Sequence, residues 1–343
     1  MKGKRAGYNI FKLGRYDIFK PLYKSYTIAK IKKEDVFLMK QFIKKWIVAI
    51  RAPFFTASAI PVLVGTALAW NMTGRFDLFK FILVLIGVPL FNAGTNLAND
   101  YYDHKTGNDE ANVNVTPFSG GSRVIQKGVV PPQHMLIGSF LFFGSGSVIG
   151  LYLNAVTPGN LILYLGIFGL LTGFFYTATP ILIGYRGIGE LIVGLDLGTL
   201  AIIGAYYVQA HSLNWSVFWI SLPIGFLVAA ILYINQFPDY DADKAVNKRH
   251  LVVILGKKKA VYGYYFLISA TYLVIAGSVI FRMVTPFALI SFLTLPIALG
   301  AVKILKSNYN KITELIPAQA KTIQTHLLVG LLLSIGLVVG RIV

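Results

Sequence analysis

Apolar residues in this chain fall in long unbroken runs, not in the alternation of a strand or the short stripes of a soluble amphipathic helix. Nine runs stand out, at about 47–70, 80–99, 134–154, 160–180, 188–209, 216–237, 260–281, 286–305 and 322–341. Each has the length of about 20 residues that an α-helix needs to cross a hydrocarbon core of roughly 30 Å. They fill most of residues 47–341 and leave no room for a soluble domain of ordinary size. Lipid offers no partner to open backbone groups, so the spans are predicted to be helices throughout. The pattern thus predicts an all-α, polytopic membrane protein of nine transmembrane helices (47–343), preceded by an extension, 1–46.

Charge orients this bundle. Of 343 residues only 13% are charged, yet Lys and Arg number 32 against 14 acids. The extension alone has 13 Lys and Arg against 3 acids. Basic residues recur in alternate loops: Arg186 in 182–189, six Lys and Arg in 238–259, and Lys306, Lys311 and Lys321 in 306–321. Of the intervening loops, 155–159 and 210–215 carry no Lys or Arg, 282–285 has only Arg282, and 71–79 is nearly balanced with Arg75 and Asp77. Positive residues accumulate on the cytoplasmic side, so the N-terminus is expected there. The basic residues are spread over loops instead of being gathered in a folded module, which argues against nucleic acid as a partner. In the extension, basic and apolar residues interleave as "YTIAKIKKEDVFLMKQFIKKW", which fits either an amphipathic helix on anionic membrane lipids or a solvated tail. The first apolar run starts too late and is too long for a signal peptide, and with no cysteine there is no thiolate or disulfide chemistry.

Against this basic background the acids are concentrated. "NLANDYYDHKTGND" (96–109) follows the second span, and "YINQFPDYDADKAVNKRH" (233–250) ends the sixth. Asn96, Asp100, Tyr101, Lys105 and Asn108 reappear as Asn235, Asp239, Tyr240, Lys244 and Asn247, all at an offset of 139. Such an echo suggests a duplicated four-helix unit, with the site where the halves meet. Residues three or four apart share a helix face, so Asn92, Asn96, Asp100 and Asp103 form one polar stripe. Asn235, Asp239 and Asp243 form a second if the helix continues past Pro238. Packed carboxylates repel, and a divalent cation between the stripes relieves the repulsion. Oxygen-only ligands point to Mg²⁺, which is commonly held by one or two carboxylates together with substrate phosphates. Lys105, Arg123, Lys127, Arg186, Lys244, Lys248 and Arg249 are the nearby cations. Together these make a site for a diphosphate whose tail lies in lipid. Taken singly, each acid could merely balance loop lysines. Asp241, two residues from each neighbour, points elsewhere as a solvated loop acid. A secondary transporter would also carry repeats and intramembrane acids, but nearer mid-membrane.

With these motifs the sequence resembles the UbiA superfamily of intramembrane aromatic prenyltransferases, whose nine helices carry Asp-rich motifs after the second and sixth. "NLANDYYD" looks like the first motif, and "NQFPDYDAD" followed by "KAVNKRHLVVILG" looks like the second. "RAPFFTASAIPVLVGTALAW", "GNDEANVNVTPFSGGSRVIQKGVVPP" and "YTATPILIGYRGIGELIVG" look most like the menaquinone-pathway branch, the 1,4-dihydroxy-2-naphthoate prenyltransferases. The resemblance implies Mg²⁺-dependent transfer of a polyprenyl group from polyprenyl diphosphate to an aromatic acceptor, with loss of the ring carboxylate. 4-Hydroxybenzoate and geranylgeranylglyceryl phosphate are the alternative acceptors. Asp100, Asp103, Asp239 and Asp243 are then expected on metal and diphosphate, supported by Asn96 and Asn235, with Arg123, Lys127 and Lys248 nearby. Many members have Lys four residues after the Tyr of the fourth helix. Here Pro180 follows Tyr176, and Arg186 stands as the replacement cation. Tyr176 and Tyr233 either face an allylic cation or serve as lipid-facing and core aromatics. Arg51 either binds an aromatic acid or snorkels to headgroups. Asp196, in the middle of the fifth span, either faces the cavity or is neutralised by a partner such as Arg51.

Overall fold

The computed structural model describes residues 33–343, with side chains from residue 39. Most of the basic extension therefore lies outside the described residues. Its last part enters helix α1, Lys33–Ala49. Lys45–Val343 form one compact unit.

Among the described residues, eight helices are long and apolar enough to cross a membrane: α2 (Ala52–Thr73), α3 (Leu78–Lys105), α5 (Pro132–Ala155), α7 (Gly189–Ala210), α8 (Trp215–Ala245), α10 (Lys257–Ile280), α11 (Pro286–Asn308) and α12 (Ile312–Ile342). Between them lie the short helices α4 (Asn108–Ala111), α6 (Leu161–Phe174) and α9 (Leu251–Leu255). The expected fourth span, 160–180, is thus only the 14 residues of α6, about 21 Å of helix, and falls short of the hydrocarbon core. Its apolar run does continue, but as folded-back loop. The amides of Ile183 and Gly184 bond to the carbonyls of Phe175 and Tyr176 at 3.1 and 2.8 Å. These bonds satisfy backbone groups that a helix would otherwise satisfy, and Pro180 disfavours helical continuation at the residue before it.

Other helices outrun their apolar stretches. α3 reaches Lys105 and α8 reaches Ala245, so the acids of both motifs sit on the last helical turns, and Pro238 is accommodated inside α8. Asp77 and Asn214 cap the far ends, accepting from the amides of Lys80 and Val217 at 3.0 and 3.2 Å.

The two halves share a pattern of neighbours. α3 packs most extensively on α5, and α8 packs on α10, while α2 is held between α7 and α12. Lipid tails are as apolar as leucine, so helices in a membrane associate through close backbone approach and not through burial from water. That approach is visible where α7 meets α8: a Cβ on Gly198 would stand 2.5 Å from the Gly225 Cα. The main core, including Tyr206, Leu227, Tyr233, Phe237 and Tyr264, lies on the α8 side of the bundle. On the α3 side, α3, α5, α6 and α7 enclose open space.

Candidate active site

The last turns of α3 and α8 meet at one end of the bundle. Asp100 and Asp103 are buried on α3, and Asp243 is buried on α8 beside the partly buried Asp239. Spacings of three and four residues put each pair on one helix face, and the loop after α3 ties the faces together. Asn108 donates to Asp243 at 2.9 Å and Asn112 donates to Asp239 at 2.8 Å. Between the faces stands Lys248, its Nζ 3.2 Å from Asp103 Oδ2 and 3.7 Å from Asp243 Oδ1. It also lies 5.4 Å above the Tyr185 ring. Burial works against the ammonium charge, but Asp103 and Asp243 outweigh it and hold Lys248 well above the ordinary lysine range.

The remaining carboxylate contacts are equally specific. Arg51 forms an ion pair with Asp100, whose other oxygen accepts from the Ser122 hydroxyl. His250 Nε2 meets Asp243 Oδ2 at 2.9 Å. Arg51 and Arg123 both adopt left-handed backbone, at φ 53° and 63°. Such backbone is uncommon for a non-glycine residue and clusters at functional sites. Arg123 reaches the backbone carbonyl of Asp109. Asp109 is itself buried, and Gln126 is its side-chain neighbour at 3.4 Å. Gly121, at φ 77°, lets the loop pass over this carboxyl; a Cβ there would meet Asp109 Oδ2 at 3.0 Å.

Not every expected residue gathers here. Arg186 is exposed and turns its guanidinium to the carbonyls of Ile181 and Pro180, away from the acids. The folded-back loop supplies those carbonyls, and Lys248 holds the position assigned to Arg186. Lys127 is exposed on the surface turn. Asn96 donates to the Ile50 carbonyl at 3.0 Å, and Asn235 accepts from Gln319 at 3.0 Å, so both amides are engaged away from the carboxylates. Tyr233 is core, with a fully buried ring. Asp241 is exposed and 3.5 Å from Lys257, turned away from the site as expected, although it stands on the last turns of α8 and not in a loop. Asn108, Asn112, Asp109, Ser122 and His250 were not anticipated as site residues. The one signal for them in the sequence is the density of Asn, Asp and Gly in a loop that follows a membrane span.

Beside the cluster, within the bundle, lies a cavity of about 520 Å³, within the range of small-molecule sites. Its wall is mainly apolar, from residues such as Val84, Phe91, Leu165 and Leu200, with Asn99 and Tyr176 among the polar exceptions. The clustered carboxylates do not line it. Arg51 does, and it is also the residue bound to Asp100, so it joins the charged site to the apolar one.

The UbiA prenyltransferase family matches residues 58–339. The chain belongs to that family. A 1,4-dihydroxy-2-naphthoate octaprenyltransferase from Bacillus subtilis (strain 168) is 32% identical over 83% of this chain and 89% of its own length. The Escherichia coli (strain K12) protein of the same name is 28% identical over 86% and 96%. Among solved structures, a UbiA homolog from Archaeoglobus fulgidus bound to DMAPP and Mg²⁺ has a TM-score of 0.60 at 17% identity, covering 85% of this chain and 99% of its own. That likeness is one of fold. The chain is therefore an integral membrane prenyltransferase of the UbiA family.

The donor set suits a hard divalent ion. It is built of carboxylate and amide oxygens, with no thiol, and the Asn108 Oδ1 is buried beside Asp243 without a partner. Among the described residues no three acids or histidines stand close enough to enclose an ion by themselves. Lys248, Arg51 and the two asparagines are interleaved with the carboxylates instead.

Asp109 supplies a pH test. Burial, then the charges of Asp103 and Asp100, push its carboxyl from 3.8 to about 8. An unfolded Asp ionises near pH 4. Between about pH 4 and pH 8 the folded metal-free protein therefore keeps a proton that the unfolded chain has lost, and stability falls as pH rises. Asp109→Asn should abolish this component, so in EDTA its thermal midpoint should gain on the parent's from about pH 5 to pH 8. A constant difference between the two proteins would contradict the assignment.

Proposed function

We propose that this chain transfers a polyprenyl group from polyprenyl diphosphate to 1,4-dihydroxy-2-naphthoate, a step of menaquinone biosynthesis, with Mg²⁺ as cofactor and the active site facing the cytoplasm. One observation carries the reading. Two acid-bearing helix ends from opposite halves converge with Lys248 and Arg51 at the mouth of a largely apolar cavity inside a membrane bundle. The naphthoate acceptor is supported by the names of the Bacillus subtilis and Escherichia coli relatives, and the metal by the Mg²⁺ bound to the Archaeoglobus fulgidus homolog.

In this reading Asp100, Asp103, Asp239 and Asp243, with the free oxygen of Asn108, would share Mg²⁺ with the diphosphate, since no three of the acids enclose an ion by themselves. The ion, when bound, supplies Lewis-acid neutralisation of the departing diphosphate. Lys248, and Arg123 at the loop, provide fixed positive charge for the same oxygens, aimed where charge develops. The apolar cavity takes the polyprenyl chain and excludes water, which would capture an allylic cation. Tyr176, buried at its edge, presents a ring that attracts such a cation. Arg51 faces both regions, so its guanidinium would be placed to meet the acceptor's carboxylate from the cavity side. Membrane lipids are the remaining partner, and the apolar side chains of Met39, Ile43 and Ile47 on α1, exposed among lysines, suit a lipid surface.

The test is transfer from a radiolabelled polyprenyl diphosphate by protein purified in detergent, with Mg²⁺. The naphthoate, 4-hydroxybenzoate and geranylgeranylglyceryl phosphate are supplied in parallel. Product with the naphthoate alone is expected; product with only one of the others would overturn the acceptor. Asp100→Ala and Asp239→Ala should each lower turnover by about a hundredfold or more, on the scale of losing a fixed electrostatic group, and EDTA should stop it. Undiminished activity in EDTA would sink the metal assignment.

Orientation is checked separately. The chain has no cysteine, so Lys105→Cys, Asn247→Cys and Leu213→Cys each introduce a single thiol at an exposed position. The first two should react with an impermeant reagent only from the cytoplasmic side, and the third only from the opposite side. Reversed labelling would refute the cytoplasmic site.

A further inference from the structure

Asp196 lies outside the carboxylate cluster, on the wall of the apolar cavity. It belongs to a seven-residue π-helical segment, Gly194–Leu200, inside α7. Such widened turns are rare and recur at functional sites. Gly194 and Gly198 lock one side of this segment against Gly225 of α8. The carboxylate turns the other way, and its Oδ2 accepts from Thr172 of α6 at 2.8 Å. Its Oδ1 faces Gly169, where a Cβ would stand 3.2 Å away and crowd it. No Lys, Arg or His among the described residues pairs with it. The expectation that Arg51 neutralises it is not met, because Arg51 is bound to Asp100.

An ionisable group in a span is costly. A carboxylate can accept about four hydrogen bonds, and Thr172 provides one. What the cavity must supply is a proton donor. Depth sets which donor. Thr172 adjoins Gly173, which packs on Thr95 of α3, five residues before Asp100. Asp196 meets α6 at Thr172 and Gly169, on the far side of Gly173 from the cluster, so at 1.5 Å per residue it lies about 8 Å or more deeper than Asp100. Arg51 and Asp196 line the same cavity, so a ring acid bound at the Arg51 end would present its hydroxyls toward Asp196.

We propose that Asp196 is a specificity-determining and catalytic residue that takes the proton of a ring hydroxyl on the aromatic acceptor; this rests on the acceptor reading above. The hydroxyl proton passes to Asp196 Oδ1, and the oxygen's electrons form a ring carbonyl. The ring's π pair makes the new C–C bond from the ortho carbon to the allylic carbon. The allylic C–O bond breaks with its pair left on the diphosphate. The carboxylate on that carbon leaves as CO₂, its bonding pair restores the aromatic ring, and Asp196 returns the proton to the ring oxygen.

The experiment compares the dihydroxynaphthoate with its two mono-O-methyl ethers in the parent, Asp196→Leu and Asp196→Asn. Asparagine keeps the bond from Thr172 but presents an N–H donor to the cavity. In the parent, one of the two methylations should lower kcat/KM by about a hundredfold, the contribution of a positioned base. Both variants should fall to that level with the diol and no longer distinguish the diol from that ether. Their KM for polyprenyl diphosphate should stay within about twofold of the parent's, which a merely structural defect would not spare. Should Asp196→Leu fail to fold, the isosteric Asp196→Asn carries the test. Variants that turn over the diol and still discriminate as the parent does would overturn this role alone. A parent that transfers nothing to the naphthoate would overturn the acceptor reading and this role together.

Discussion

One half-buried ammonium group holds the two acid motifs together. Lys248 comes from the loop after α8, yet it touches Asp103 of α3 as well as Asp243 of α8. Without a cation between them, these carboxylates would face each other in a poorly solvated pocket, and like charges buried together are costly. Arg51 does the same for Asp100, and Asn108 and Asn112 cross between the motifs as neutral donors. The basic chain gathers its few acids here because two helix ends from opposite halves must meet, and only charge of the opposite sign lets them.

The separation of charged and apolar space follows from the membrane. At the bundle's end, loops can bring in amide, hydroxyl and guanidinium groups, so carboxylates can be satisfied there. Deeper in, the backbone must be helical and the walls mostly apolar. Arg51 sits at the boundary, in left-handed backbone just before α2. It is the residue that touches both the carboxylate cluster and the cavity. Asp196 is the one acid on that wall among the described residues, and it sits on the π-helical segment with its carboxylate turned to Thr172 of α6.

Much of this was legible in the residues. Spans were readable because lipid imposes length. Asp100, Asp103, Asp239 and Asp243 were readable because spacings of three and four fix a helix face, and the offset of 139 marked the halves. What hydropathy cannot report is where an apolar run stops being helix. The 160–180 stretch stays apolar while its backbone folds back after Phe174, and that fold carries Arg186 away from the acids. The closing loop was equally hidden: Asn108, Asn112 and Asp109 reach the site through turns at Gly107, Gly120 and Gly121 with positive φ, and their partners lie more than a hundred residues away in sequence or across the cluster. Polar loop residues carry no periodicity that would announce such contacts.

The central claim, that a cation must stand between the acids of α3 and α8 for this end of the bundle to hold, is open to direct measurement. Thermal unfolding of Lys248→Met can be followed in detergent, with EDTA and with Mg²⁺. Breaking a buried ion pair by removing one partner costs about 3–5 kcal/mol, so in EDTA the variant should unfold well below the parent. Mg²⁺ should raise the variant's midpoint more than the parent's, because it replaces the lost charge. A variant as stable as the parent in EDTA, and no more responsive to Mg²⁺, would show that the acid motifs meet without needing a cation between them.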